Sequence, residues 1–208
     1  MDSYFVTHSY LETLSEVTKT AYIDDLYSFD YPVDLLINYD AVIPENFYQQ
    51  ARRRLLGLSY TPLRKQFSRL QPTVRPEVKE ILISTGGTDP CHAAESLLSQ
   101  LIDSEESRDW CFHVLAGPMH SDRKSLEQMA LSHPGLRLYE HVAQMAELMQ
   151  RCDLAVSAAG TTLFELCAAG TSAVSFTMAD NQFTTAVQME AGAGIPCAGD
   201  CLLYTSDA

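Results

Sequence analysis

Thr161, Thr162 and Glu165 follow directly on the small-residue turn Ala158-Ala159-Gly160. A turn this lean lets a ligand approach the backbone, and the N–H groups that open a helix hold phosphate well. A carboxylate one turn further along is a poor phosphate ligand. It suits a pair of ribose hydroxyls, because an ionised carboxylate accepts from both. The stretch therefore points to a nucleoside diphosphate. A second glycine turn, Thr85-Gly86-Gly87-Thr88-Asp89, also leaves an apolar run and enters a helical pattern. Two such loops can grip one ligand between them. The chain carries neither a phosphate loop ending in Gly-Lys-Ser/Thr nor G-x-G-x-x-G, which disfavours triphosphatase and dinucleotide readings. In Asp180-Asn181-Gln182 the amides can read sugar hydroxyls or an N-acetyl group, and the same residues suit a helix cap, with Asp180 capping and Asn181 and Gln182 facing a cleft. Tyr60 and Arg64 are the polar residues with reach in GLSYTPLRKQF; Arg64 suits a phosphate and a surface carboxylate equally. The six histidines show no metal-ligand spacing, so neither a metal nor a cofactor is expected. His113 reads as a core residue, and His120, on a loop after Gly117-Pro118, as a weaker candidate for ligand contact. No nucleophile elbow or local Ser–His–Asp set is present.

The elements that must position these residues alternate. Strands are expected at Ala21–Asp24, Val33–Asn38, Glu80–Ser84, Cys111–Ala116, Leu136–Tyr139, Asp153–Ser157 and Ala173–Phe176. Helices are expected at His8–Thr18, His92–Leu101, Ser125–Leu131, Ala143–Gln150, from Thr161 to Gly170, and from near Phe183. This is the pattern of an α/β fold with parallel sheets, in which ligands bind outside the carboxyl ends of the strands. Topology alone then sets Asp24, Asp25 and Tyr39 near a cleft, although loop capping is the preferred reading of Asp25. Gln71–Glu77 has two prolines and no apolar period, so it reads as a linker. It divides a first domain, 1–70, from a nucleotide-sugar domain, 78–200.

Apolar residues make up 46% of the chain, enough for packed cores, and the net charge of −13 excludes a basic stripe for nucleic acid. An anionic ligand must then be held by backbone amides and a few local side chains. Six cysteines without C-x-x-C spacing read as reduced thiols of a cytoplasmic protein. No apolar run approaches bilayer length and no signal peptide is visible, so no membrane role is expected. Met1 runs straight into Asp2-Ser3-Tyr4-Phe5, which reads as the end of a strand whose beginning is missing. Cys201–Ala208 (CLLYTSDA) breaks the preceding pattern and reads as a translated sequencing adapter. The expectation is an internal fragment with an artefactual tail over 201–208.

SAAGTTLFELCAAG followed by DNQ resembles the nucleotide-sugar half-site of the GT-B glycosyltransferase architecture, two Rossmann-like domains. Here the first would be truncated and the second incomplete. YIDDL, LINYD, GLSYTPLRKQF and STGGTDP together resemble a narrower family. It is the UDP-2,4-diacetamido-2,4,6-trideoxy-β-L-altropyranose hydrolases of pseudaminic acid biosynthesis, often described as spore-coat polysaccharide biosynthesis proteins. The resemblance runs from Asp2 to about Gly199 and implies a monomer that binds a UDP-activated amino sugar. It sets Gly86 and Gly87 beside the phosphates, and Ala159, Gly160, Thr161 and Thr162 at the diphosphate. It sets Glu165 on the ribose, the Val142 backbone at the uracil edge, and Gln182 at the sugar. Asn181 takes a catalytic position, and Tyr4 matches a family tyrosine at the inter-domain cleft. The implied reaction is attack of water at the anomeric carbon with inversion, releasing UDP. It needs a base for the water and stabilisation of the departing diphosphate. The family's histidine, on a glycine-rich loop of the first strand–helix unit, matches none of the six here. The chain as given is therefore expected to lack hydrolase activity. The alternatives are a GT-B transferase using a UDP-sugar donor and a non-enzymatic nucleotide-sugar-binding module.

Overall fold

The computed structural model describes residues 3, 5–73 and 75–201. Tyr4 and 202–208, most of the expected tail, lie outside them. The chain divides into two compact units between Pro62 and Leu63.

In the first unit, Thr7 opens helix α1 (His8–Val17) by accepting the Tyr10 N–H at 3.3 Å. Strands β1 (Ala21–Ile23), β2 (Leu35–Asn38) and β3 (Arg53–Leu56) form a parallel sheet in the order β1-β2-β3. Asp24, just past β1, is not a cleft residue. It is 2% exposed, and its carboxylate accepts from the Tyr31 and Tyr48 hydroxyls at 2.7 and 2.5 Å and from the Leu26 and Tyr27 N–H groups. Asn38 Nδ2 in turn donates to the Tyr48 hydroxyl at 2.7 Å. Burial, reinforced by the bond to Asp24, pushes both phenols well above their ordinary range. A buried carboxylate is tolerable only when bonded this fully, so Asp24 holds the first core together.

The second unit rests on β4 (Glu80–Ser84), an apolar run buried on both faces, as a central parallel strand must be. Chain order then gives helix α2 (Ala93–Leu101), β5 (Cys111–Leu115), α3 (Arg123–Ser132), β6 (Leu136–Tyr139), α4 (Met145–Arg151), β7 (Leu154–Ala158), α5 (Thr162–Ala169), β8 (Ser172–Thr177), α6 (Asp180–Ala193) and β9 (Cys197–Asp200). All strand pairs are parallel, in the order β6-β5-β4-β7-β8-β9. One core packs Ile81, Ile83, Phe112, Val114 and Leu136 of the sheet against Ala94 and Leu98 of α2 and Leu126 of α3.

Pro72, Arg75 and Lys79 are each tied to the second unit. Asp153, before β7, accepts from Arg75 Nη1 at 2.8 Å and from the Lys79 and Glu80 N–H groups at 2.9 and 2.8 Å. Arg75 also donates to the carbonyls of Arg151 and Gln150. Pro72 packs on Gly170, the left-handed residue that ends α5 (φ 72°). Two cysteine expectations change. Cys91 and Cys201 form a disulfide, while Cys111, Cys152, Cys167 and Cys197 are free. The pair is 110 residues apart, and only the fold brings the entry of α2 beside the end of β9. No helix among the described residues is long and apolar enough to cross a membrane.

Burial works to raise the Asp153 pKa, but the two N–H groups and Arg75 outweigh it and hold the carboxyl below the usual carboxylate range. That stabilisation is present above the unfolded-state pKa and lost as pH falls through the lower folded one. Asp153→Ala is expected to destabilise the second unit by about 2–4 kcal/mol at pH 7. In denaturant unfolding the gap to the parent chain should narrow below about pH 4; a gap independent of pH would show that the charge is not what matters. A Cβ on Gly170 would lie 2.4 Å from Pro72 Cβ. Gly170→Ala should therefore lower stability by about 1–3 kcal/mol, through left-handed strain and this clash, measured the same way.

Candidate functional site

The order β6-β5-β4-β7-β8-β9 reverses direction between β4 and β7. Successive crossovers leave that point toward opposite edges, which opens a crevice beyond the carboxyl ends of the two strands. Register pairs Ser84 with Ser157. The turns that follow, Thr85–Asp89 and Ala158–Thr161, thus start side by side. The two glycine-bearing turns singled out from sequence are the two that flank the switch point.

After β7, Ala159 N–H donates to Phe176 O at 2.8 Å and Gly160 N–H to Ala158 O at 2.9 Å. These two amides, which the resemblance sets at the diphosphate, are bonded to protein carbonyls here. Leu163 N–H closes on Gly160 O at 3.0 Å. The amides of Thr161 and Thr162 are those that helix geometry leaves without an internal acceptor. Thr161 is exposed, and its side chain makes no capping bond.

Glu165 lies in the first turns of α5 and meets Arg64. Arg64 Nε donates to Oε1 at 2.7 Å and Nη2 to Oε2 at 2.8 Å, a parallel two-bond fork. The bond to Glu165 raises the guanidinium pKa further, and the Arg64 group also lies 5.3 Å from the Phe67 ring centre. The carboxylate that Arg64 takes is thus the one read from sequence as a ribose ligand. The fork uses two of five guanidinium N–H donors and leaves lone pairs on both carboxylate oxygens. Both groups keep capacity for a ligand. Gln66 fixes the segment on α4, with its Oε1 accepting the Ala146 N–H at 3.0 Å.

Arg64, Gly86 and Val142 line one cavity of about 270 Å³, with Ser84, Gly117 and Tyr139 among the other walls. It sits at the carboxyl ends of β4, β5 and β6. Gly86 has φ 82°, a left-handed conformation that a side chain would strain. Gly87 is exposed and does not line the cavity.

The other expected residues fall differently. Helix α6 starts at Asp180, not near Phe183, so Asn181 and Gln182 belong to its first turn. Ala179, not Asp180, stands at the cap position. Asn181 is exposed; Gln182 turns back, and its Oε1 accepts the Met178 N–H at 2.9 Å. Tyr60 is exposed on a short 3-10 turn of the first unit. His120 is buried, with both ring nitrogens engaged. Nδ1 accepts the Asp122 N–H at 3.3 Å, so Nε2 carries the proton, toward Thr85 Oγ1 at 3.1 Å and Asp89 Oδ2 at 3.5 Å. It braces the glycine turn and is not a ligand contact. His113 is a core group as expected, bonded to Glu80 and to the Tyr139 hydroxyl; burial lowers its pKa.

Asp89 is a structural support of this region whose role sequence reasoning passed over. Fully buried, it accepts the Ala93 and Ala94 N–H groups at 3.0 and 2.9 Å and so caps α2 from the end of the glycine turn. An Asp three residues before the helical pattern that opens at His92 was the available signal.

No family model matches the chain. Over 147 residues it is 24% identical to the spore coat polysaccharide biosynthesis protein SpsG of Bacillus subtilis, covering 69% of this chain and 43% of that protein. Over 146 residues it is 30% identical to a Gloeobacter violaceus enzyme, UDP-N-acetylglucosamine--N-acetylmuramyl-(pentapeptide) pyrophosphoryl-undecaprenol N-acetylglucosamine transferase. That match covers 65% of this chain and 40% of the enzyme. The chain spans less than half the length of the curated relatives it matches. Among solved structures, MurG of Acinetobacter baumannii superposes with a TM-score of 0.61 at 17% identity, over 92% of this chain and 62% of MurG. The fold is therefore the Rossmann-like α/β fold of GT-B glycosyltransferases.

Proposed function

We propose that the second unit binds a UDP-sugar and that the chain belongs to a GT-B enzyme that transfers the sugar to an acceptor in polysaccharide biosynthesis. The observation that carries this reading is the Arg64–Glu165 fork, whose arginine also lines the cavity at the carboxyl ends of β4, β5 and β6. In this reading the Thr161 and Thr162 amides meet the diphosphate, with spare Arg64 N–H groups as a second source of positive charge. Glu165, already oriented by Arg64, accepts from the ribose hydroxyls through its remaining lone pairs. The Val142 backbone meets the uracil edge within the cavity. Asn181 faces the sugar. Departure of UDP develops negative charge on the diphosphate, where amides fixed in advance stabilise it most. The printed name of one curated relative, an N-acetylglucosamine transferase, supports transfer from a UDP-amino sugar, while that of the other, a spore coat polysaccharide biosynthesis protein, fits transfer and hydrolysis alike.

Hydrolysis of a UDP-2,4-diacetamido sugar remains the second reading, favoured by the YIDDL, LINYD and SYTPLR set in the first 70 residues. The two separate in one assay. The full-length protein is incubated with UDP-N-acetylglucosamine or the diacetamido sugar nucleotide, with and without a lipid-linked or oligosaccharide acceptor. UDP released only with acceptor supports transfer; release without it supports hydrolysis.

Glu165→Ala is expected to weaken UDP binding, measured by calorimetry, by about 1–3 kcal/mol, the scale of lost charge-assisted hydrogen bonds. Unchanged affinity removes Glu165 from the site. Arg64→Ala should also weaken UDP, and the double variant should lose less than the sum of the two single losses, because the residues act as one unit. Strict additivity would show that the fork has no part in binding.

A further inference from the structure

Asp122 stands at the cap position of α3, where a carboxylate ordinarily accepts the first-turn amides, and it makes no capping bond. Its Oδ1 lies 2.5 Å from His92 Nδ1. Its Oδ2 is buried with no hydrogen-bond partner among the described residues, and Asp122 as a whole is 8% exposed. An ionised carboxylate oxygen left in this state is costly unless something positive or hydrogen-bonding meets it. Glu95 completes the group. It follows His92 by three residues at the start of α2, on the same helix face, and accepts from Ser125 Oγ of α3. One ligand atom each from His92, Glu95 and Asp122 lies within 4.8 Å of the other two.

We infer that His92, Glu95 and Asp122 form a binding site for a divalent transition-metal ion of the zinc class, where α2 and α3 begin. One imidazole nitrogen with two carboxylates is a donor set that suits zinc and its neighbours. Magnesium and calcium prefer oxygen alone. Three protein ligands leave a further position open to water or an anion. The ion would meet Asp122 Oδ2 and replace a single His–Asp contact. His92, exposed at its ring, gives the ion a route from solvent. The neighbouring Asp89–His120–Asp122 group does not compete for it, since both nitrogens of His120 are engaged by Asp122 N–H on one side and Thr85 and Asp89 on the other. The spacing rules applied to the sequence miss this set because its members come from two segments about 30 residues apart.

Zinc chloride is titrated calorimetrically into the full chain after chelator treatment. One site of micromolar affinity is expected, weakened at least about tenfold by His92→Ala and by Glu95→Gln. Both substitutions lie outside the cores, and unchanged melting of the metal-free variants would confirm that they fold. Anomalous diffraction at the zinc edge should place the ion about 2.0–2.2 Å from a His92 nitrogen and a carboxylate oxygen of Asp122. No zinc uptake at about 1 mM, uptake that both variants leave intact, or an ion at Glu80, Cys111 and His113 instead would each overturn the inference.

Discussion

Strand β4 hydrogen-bonds to β5 on one side and β7 on the other, and the candidate site depends on that double pairing. Parallel register aligns Ser84 with Ser157. Both following turns must therefore leave the sheet at the same level and on the same edge. Their glycines and small residues keep the crevice open to main-chain contact. Had β7 paired with β6 instead, the Thr85–Asp89 and Ala158–Thr161 turns would stand three strands apart and could not share a ligand. Position in the sheet gives the two loops joint meaning; either alone is an ordinary tight turn.

The second constraint is electrostatic. With a net charge of −13, the chain's overall field repels an anionic ligand. Attraction must be local, from a helix start and one arginine. The same arginine bonds to Glu165 in a two-bond fork, so the carboxylate near the helix start is matched by a cation with fixed geometry. This lessens the repulsion that Glu165 would otherwise exert on a phosphate, and it leaves the lone pairs that a ribose needs. Lysine would not do this equally well, because its single ammonium cannot orient both carboxylate oxygens.

Much of this was legible in the sequence where a signal is local. The strands Glu80–Ser84 and Leu136–Tyr139 match their apolar runs residue for residue. β3 was not legible, because it begins Arg53-Arg54 and is read as a strand only once β2 lies beside it. The bidentate partner of Arg64 was equally hidden, since 101 residues separate it from Glu165. The Ala159 and Gly160 amides looked free because the sequence says nothing about the Phe176 carbonyl or the tight turn onto Ala158. Asp24 looked like a cleft residue because strand-end topology is a rule about position. Whether a given carboxylate faces solvent or a pair of tyrosine hydroxyls depends on Tyr31 and Tyr48, which arrive from later loops.

The glycine turn has a further property that local pattern did not reveal. Glycines give it freedom, yet its flanks are fixed. Asp89 holds the start of α2, His120 bridges Thr85 and Asp89, and Ser121 donates to Thr88 O from both its N–H and its hydroxyl. A flexible loop would lose conformational entropy on closing over a ligand, reducing affinity by roughly 1–2 kcal/mol for each residue ordered. Here that ordering is completed during folding. Gly86 and Gly87 supply backbone access, while buried polar side chains beneath them supply rigidity. The high share of buried polar groups around Thr85, Asp89, His120 and Asp122 then follows from the need to hold a side-chain-free loop still by its ends.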